Sequence, residues 1–285
     1  MDTFIQQIIN GLVQGSIYAL VALGYTMVYG ILGLINFAHG EVVMIGALTA
    51  LTVIKLLADS GLPGTVVVLI GLLAAIPVCM ALGFTIERIA YRPLRNAPRL
   101  APLITAIGVS IVLQQLAMIF WGRNYHAFPP ILPTSSREIG GAHITDVQIV
   151  IILLAVAIMA GLMLLVNRTR LGRAMRATAE NPQIAGLMGV NINVIISATF
   201  LIGSALAAVA GVMVSANYSI AHYHMGFILG LKAFTAAVLG GIGNLPGAML
   251  GGVLLGLIES LGAGYIGDLT GGFLGSHYQD VFAFF

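Results

Sequence analysis

Long apolar runs separated by short polar punctuation set the plan of this chain. The first extends from about residue 4 to past residue 29, longer than one straight crossing of a bilayer needs. It passes into a stretch where glycines, Asn36, His39 and Glu41 interrupt it. Further apolar runs cover residues 42–57, 64–86, 101–121, 147–166 and 191–217. A glycine-dense segment, 226–266, is broken around residues 240–247. The runs are apolar on every side for about 20 residues, as a helical crossing requires, and lack the alternation of a membrane β-barrel. Backbone groups in hydrocarbon need internal partners, so the pattern predicts an all-α, polytopic transmembrane bundle of about eight spans, or nine. Each half carries a broken helix. The last apolar start, 278–285, is too short to cross and reads as a truncated helix.

Composition agrees. The chain has 285 residues, 59% hydrophobic and 8% charged. A soluble domain carries about 25% charged residues, so residues 1–285 form one membrane domain. Net charge is +2, with the basic residues in short loops and no nucleic-acid footprint. The single Cys79 excludes an internal disulfide. Loops 87–99 and 168–180 hold eight of the twelve basic residues. Two crossings separate them, so they share a side, and the positive-inside rule makes that side the cytoplasm. The proline-containing loop 123–145 then lies outside, as does the N-terminal end, where no basic region suggests a cleaved leader.

The most polar interruption is 168–190. Its second half reads as a two-turn helix with both ends marked: Asn181 as N-cap, Pro182 in the first turn, and Gly189 as the left-handed residue that closes it. Ile184, Leu187 and Met188 share one face, while Ala185 and Gly186 leave the neighbouring surface thin. So short a helix is unstable alone in water. It either packs on its own bundle or docks into a groove of another protein.

Two interrupted spans, around 36–41 and 240–247, are the pattern of a transport path between repeats, or else ordinary turns at a bilayer surface. Asn36, His39, Glu41, Gly243 and Asn244 are the residues such a path would pass. His39 and Glu41 do not share a helix face, and no third ligand residue is near, so no metal site is expected. Their blander role is to hold the break together by hydrogen bonds. Lys232 and Glu259 read as interfacial groups, and His222 and His224 as solvent-facing. There is no GxxxxGK[ST] loop, HExxH or GxSxG, so no catalytic residue is named and no cofactor is assigned to this chain.

These residues carry a resemblance. The blocks INFAHGEVVMIGA, ERIAYRPLR, RATAENPQIAGLMGVN and KAFTAAVLGGIGNLPGAMLGG are similar to the LivH-type permease of branched-chain amino-acid ABC importers, over residues 4–283. The resemblance implies a bacterial inner-membrane subunit working by alternating access. Its implied partners are a paralogous LivM-type permease, two cytoplasmic ATPase subunits that bind the ATP and magnesium, and a periplasmic amino-acid-binding protein. It also implies that 176–191 holds the helix that couples to an ATPase. Arg173, Arg176, Glu180, Asn181, Ile184, Ala185, Gly186, Leu187, Met188 and Gly189 would form that contact. Related permeases for urea or short amides carry a similar NxAHGE-type block. From other classes, an ion-coupled transporter would need paired polar groups at mid-membrane, and a channel would need a filter motif. Neither is visible.

Overall fold

The computed structural model describes residues 2–98, 100–129, 135–139, 141–269 and 279–284. In chain order the helices are α1 (Asp2–Leu32), α2 (His39–Leu56), α3 (Gly64–Ile86), α4 (Leu100–Trp121), α5 (Asp146–Arg168), α6 (Arg170–Glu180), α7 (Pro182–Leu187), α8 (Ile192–Tyr218), α9 (Met225–Leu239), α10 (Leu245–Leu269) and α11 (Val281–Phe284). Among the described residues seven are long and apolar enough to cross a membrane: α1 to α5, α8 and α10. The fifteen-residue α9 is apolar but shorter, which accounts for the eighth run of the sequence pattern. Of the expected last helix, only 281–284 is helical within the described residues; residues 278 and 285 lie outside them.

Local chemistry starts and stops these helices where the sequence marks them. Thr145 and Gln148 form a reciprocal capping box at α5. Thr169 Oγ1 accepts from Gly172 N at 3.0 Å to open α6, and Asn191 Oδ1 accepts from Val194 N at 3.3 Å to open α8. α3 runs on into a π-helical turn, Glu87–Tyr91. In the connection between α4 and α5, β2 (Ser136–Ile139) pairs antiparallel with β3 (Ala142–Thr145). There too, β1 (His126–Ala127) pairs with β4 (Ile220–Ala221), the latter from the connection after α8. Residues 130–134 and 140 of the loop expected over 123–145 are outside the described residues.

α1, α2 and α8 form the centre, and α3, α4 and α5 keep much of their apolar surface outward. Small residues set the closest approaches. α1 lies along α10, and a β-carbon on Gly15 would meet the backbone of Val253 at 2.8 Å. The four-residue glycine spacing along 243–256 thus does what its pattern suggests.

Two connections turn back into the bundle. The His39 ring stands edge-on to Tyr25, with centroids 5.0 Å apart, and fills the space a side chain at Gly24 would need. Gly24 lies eight residues before the end of α1, roughly 12 Å back along it. Residues 33–38 therefore fold inward, and α2 begins inside the bundle. The connection 219–224 does the same after α8. Gly226, at the start of α9, packs so closely on Gly40 that a β-carbon on either would strike the other's carbonyl. Gly40 is twelve residues, roughly 18 Å along α2, from Thr52, whose Oγ1 accepts from Trp121 Nε1 at the C-terminal end of α4. The helix–re-entry–helix plan thus occurs twice, in opposite directions, with a full-length α2 and a shorter α9.

Candidate functional site

α7 forms as its sequence predicts. Asn181 Oδ1 accepts from Gln183 N at 3.0 Å and Ile184 N at 3.1 Å. Pro182 occupies the first turn, and Gly189 has φ +86°, a conformation that suits glycine. Ile184, Leu187 and Met188 are 55%, 88% and 81% exposed. Arg173 and Glu180 are also exposed. Of the other residues placed in this contact by sequence, Gly186 is exposed too and Ala185 faces inward. A β-carbon on Gly186 would meet Ile192 Cδ1 at 3.4 Å, an ordinary contact on one side of an exposed position. Arg176 bends back to donate to the Val166 carbonyl and reaches Asn167 Oδ1 at 3.4 Å, so it braces α6 on α5.

Arg176 also lines a small cleft of about 90 Å³ with Thr26, Gly30, Met175 and Gly243. The structure therefore brings Arg176 and Gly243 together beside the end of α1. Asn244 is exposed, and its Oδ1 accepts from Gly247 N at 3.3 Å at the head of α10. The 240–247 interruption is the hairpin turn between α9 and α10. It is not the counterpart of 36–41: that role falls to 219–224, because the starts of α2 and α9 are what meet.

Asn36, His39 and Glu41 are all buried there. Asn36 Oδ1 accepts from Tyr91 Oη at 3.2 Å, and the same hydroxyl lies 3.1 Å from the Ile35 carbonyl. That contact stitches the break to the end of α3. Glu41 Oε1 accepts from Ser110 Oγ at 3.0 Å and Gln114 Nε2 at 2.7 Å, both on α4. Its Oε2 and His39 Nε2 have no hydrogen-bond partner among the described residues. The carboxylate sits in the first turn of α2 and beside the first turn of α9. Two positive helix ends thus converge on one carboxylate, an arrangement that stabilises a buried negative charge.

Ser110 and Gln114 form one wall of a cavity of about 430 Å³ between α1, α4 and α9. Tyr25, Phe37, Ile107 and Phe227 supply apolar surface. The volume falls in the range of small-molecule pockets. His224 is exposed, as expected, and also lines the edge of this cavity, stacking on Phe227 at 5.7 Å. Sequence reasoning missed Ser110 and Gln114, yet their spacing of four puts both on one face of an apolar run, a readable signal.

Lys232 and Glu259 are not interfacial. Lys232 Nζ lies 2.5 Å from Glu259 Oε1 and 2.6 Å from Asp280 Oδ1. Tyr18 Oη donates to Glu259 Oε2 at 2.8 Å and accepts from Gln14 Nε2 at 2.6 Å. The network ties α1, α9 and α10 to the residue before α11.

Among the described residues no group of three His, Cys, Asp or Glu side chains could hold a metal ion. Comparison with known proteins supplies the context for this geometry. Residues 7–285 match the protein-family model described as the branched-chain amino acid transport system permease component. The chain is 50% identical to the high-affinity branched-chain amino acid transport system permease protein BraD of Pseudomonas aeruginosa, over 99% of this chain and 91% of that protein. It is 45% identical to the permease protein LivH of Escherichia coli K12, over 99% and 90%. A probable LivH of Methanocaldococcus jannaschii is 27% identical over 93% and 83%. The chain belongs to the permease family of branched-chain amino-acid transport systems and is a multi-pass membrane protein.

Proposed function

We propose that this permease moves branched-chain amino acids through the 430 Å³ chamber, driven by cytoplasmic ATPases that grip α7. One observation carries the coupling half of this reading. A helix held by its own caps presents Ile184, Leu187 and Met188 outward, and large exposed apolar side chains on a capped helix suit a groove on a partner. ATP would be bound and hydrolysed by two partner subunits. A second, LivM-type permease would complete the membrane path, and a periplasmic binding protein would deliver substrate. Closure of the ATPases would move the docked helices and exchange inward- and outward-facing states. A partner can shift such an equilibrium only through contacts that differ between the states.

The chamber suits the substrate class. Its aromatic and aliphatic walls fit a branched side chain. Ser110 and Gln114, backed by the Glu41 carboxylate, offer acceptors to an ammonium group. Gln114→Leu should raise the KM for leucine uptake several-fold with the complex intact.

The test is co-expression with the partner permease and two ATPases, pull-down from detergent, and leucine uptake in vesicles. Wild type should retain the ATPases, and Ile184→Asp should lose both retention and uptake. ATPases bound equally by both would sink the docking role. Retention without leucine uptake would redirect the substrate assignment.

A further inference from the structure

We propose that the cytoplasmic end of the bundle holds a site for one anionic phospholipid, in the cleft between the π-helical end of α3 and the start of α8. The cleft measures about 440 Å³, and two kinds of surface meet in it. Toward the loops it carries Arg88 and Arg92 with the polar side chains of Asn191, Asn193 and Ser197. Toward the membrane it is lined by Phe84, Ala198 and Leu201. A charged end joined to an apolar end in one cleft is the shape of a phosphate headgroup with its acyl chain.

The charge balance points the same way. Glu87 is fully buried and already engaged: Arg95 pairs with one oxygen, and Ser197 Oγ donates to the other at 2.8 Å. Arg95 Nη1 also donates to Asn193 Oδ1 at 2.6 Å. Glu87 and Arg95 therefore cancel, and they hold the two walls of the cleft together. Arg88 and Arg92 have no salt-bridge partner among the described residues, which leaves two positive charges on the cleft. The π-helical turn, Glu87–Tyr91, lies between α3 and Arg92, and Arg88 and Arg92 both line the cleft. The first turn of α8 adds the positive end of its dipole on the opposite wall. Basic pockets between membrane helices on the cytoplasmic side recognise anionic headgroups. The apolar wall favours a lipid over a soluble phosphate or an ATPase side chain, which would leave Phe84 and Leu201 unused. Asn191 lies on this cleft and α7 ends at Leu187, so an occupied cleft would brace the start of α8 next to the helix proposed to couple.

The experiment is native mass spectrometry of the purified permease in neutral detergent, titrated with phosphatidylglycerol and, separately, phosphatidylcholine. Wild type should bind one phosphatidylglycerol in preference to phosphatidylcholine. Each of Arg88→Gln and Arg92→Gln should weaken that binding roughly tenfold, the loss of one charge-assisted hydrogen bond. The wild-type competition between the two lipids needs no variant, so it decides the matter even if a variant misfolds. Equal binding of the two lipids by wild type would overturn the proposal. Displacement by inorganic phosphate at matched concentration would assign the site to a free anion and overturn it too. Unchanged lipid binding together with lost ATPase retention in the variants would make the arginines a protein contact, again against it. Because lipid binding is read without transport, the proposal can fail while the importer reading stands, and the reverse.

Discussion

The interior around Lys232 and the surface of α7 each put side chains where they are costly, and they resolve that cost in opposite ways. Lys232, Glu259 and Tyr18 are charged or polar groups deep in an apolar bundle, and each finds its partner within the chain. Ile184, Leu187 and Met188 are apolar groups facing water, and none finds cover. Closed polar networks rigidify a fold, whereas an uncovered apolar face waits for another molecule. The contrast separates what holds this permease together from what lets something else move it.

The largest effect should come from opening the closed network. Lys232→Met leaves the Glu259 carboxylate buried without its cation, a change that costs about 3–5 kcal/mol. It should markedly lower the melting temperature in detergent, and adding Glu259→Leu should recover most of the loss. A melting temperature unmoved by Lys232→Met would mean that the network does not hold the bundle.

On the open face the expected signature is reversed. Ile184→Asp should cost roughly 2 kcal/mol or more of ATPase affinity, the scale of an interface hot spot, read as loss of co-purification. Stability should stay within about 0.5 kcal/mol, as for surface substitutions. A large drop in melting temperature would show that this face packs on its own chain after all.

Smaller still is Asn181→Ala, which removes two hydrogen bonds to the start of α7 and about 1 kcal/mol of local helix stability. Amide hydrogen exchange over 182–188 should quicken while the spans stay protected. The least effect belongs to Gly186→Ala. The added methyl would rest against Ile192 at ordinary contact distance, and alanine favours the helix, so coupled uptake should be unchanged. A bulkier residue there would change the exposed face and also press on Ile192, so loss of coupling from it would not by itself report on docking.

The deep connections add a lesson about pairing. The two interruptions at 36–41 and 240–247 both break an apolar run with glycine and polar residues, but one is a re-entry and the other a hairpin. The matching re-entry, 219–224, carries no glycine. Its backbone is satisfied instead by β1, whose His126 pairs with Ala221, and by Phe128 N donating to the Ser219 carbonyl at 2.9 Å. Those partners come from a loop some ninety residues earlier, which no local pattern could reveal. The same holds for Glu41. A carboxylate in an apolar run was readable as special, but its partners Ser110 and Gln114 lie 69 and 73 residues away.

The sequence by itself determined the membrane class, the spans and α7 with both of its caps. Hydropathy over a span and capping chemistry both act between residues close together in the chain. Only the tertiary structure decided that Lys232 is neutralised, that Arg176 braces α6, and that α2 and α9 begin nose to nose over Glu41. A buried charge is tolerated or not according to what packs against it, and helices far apart in the chain supply those neighbours.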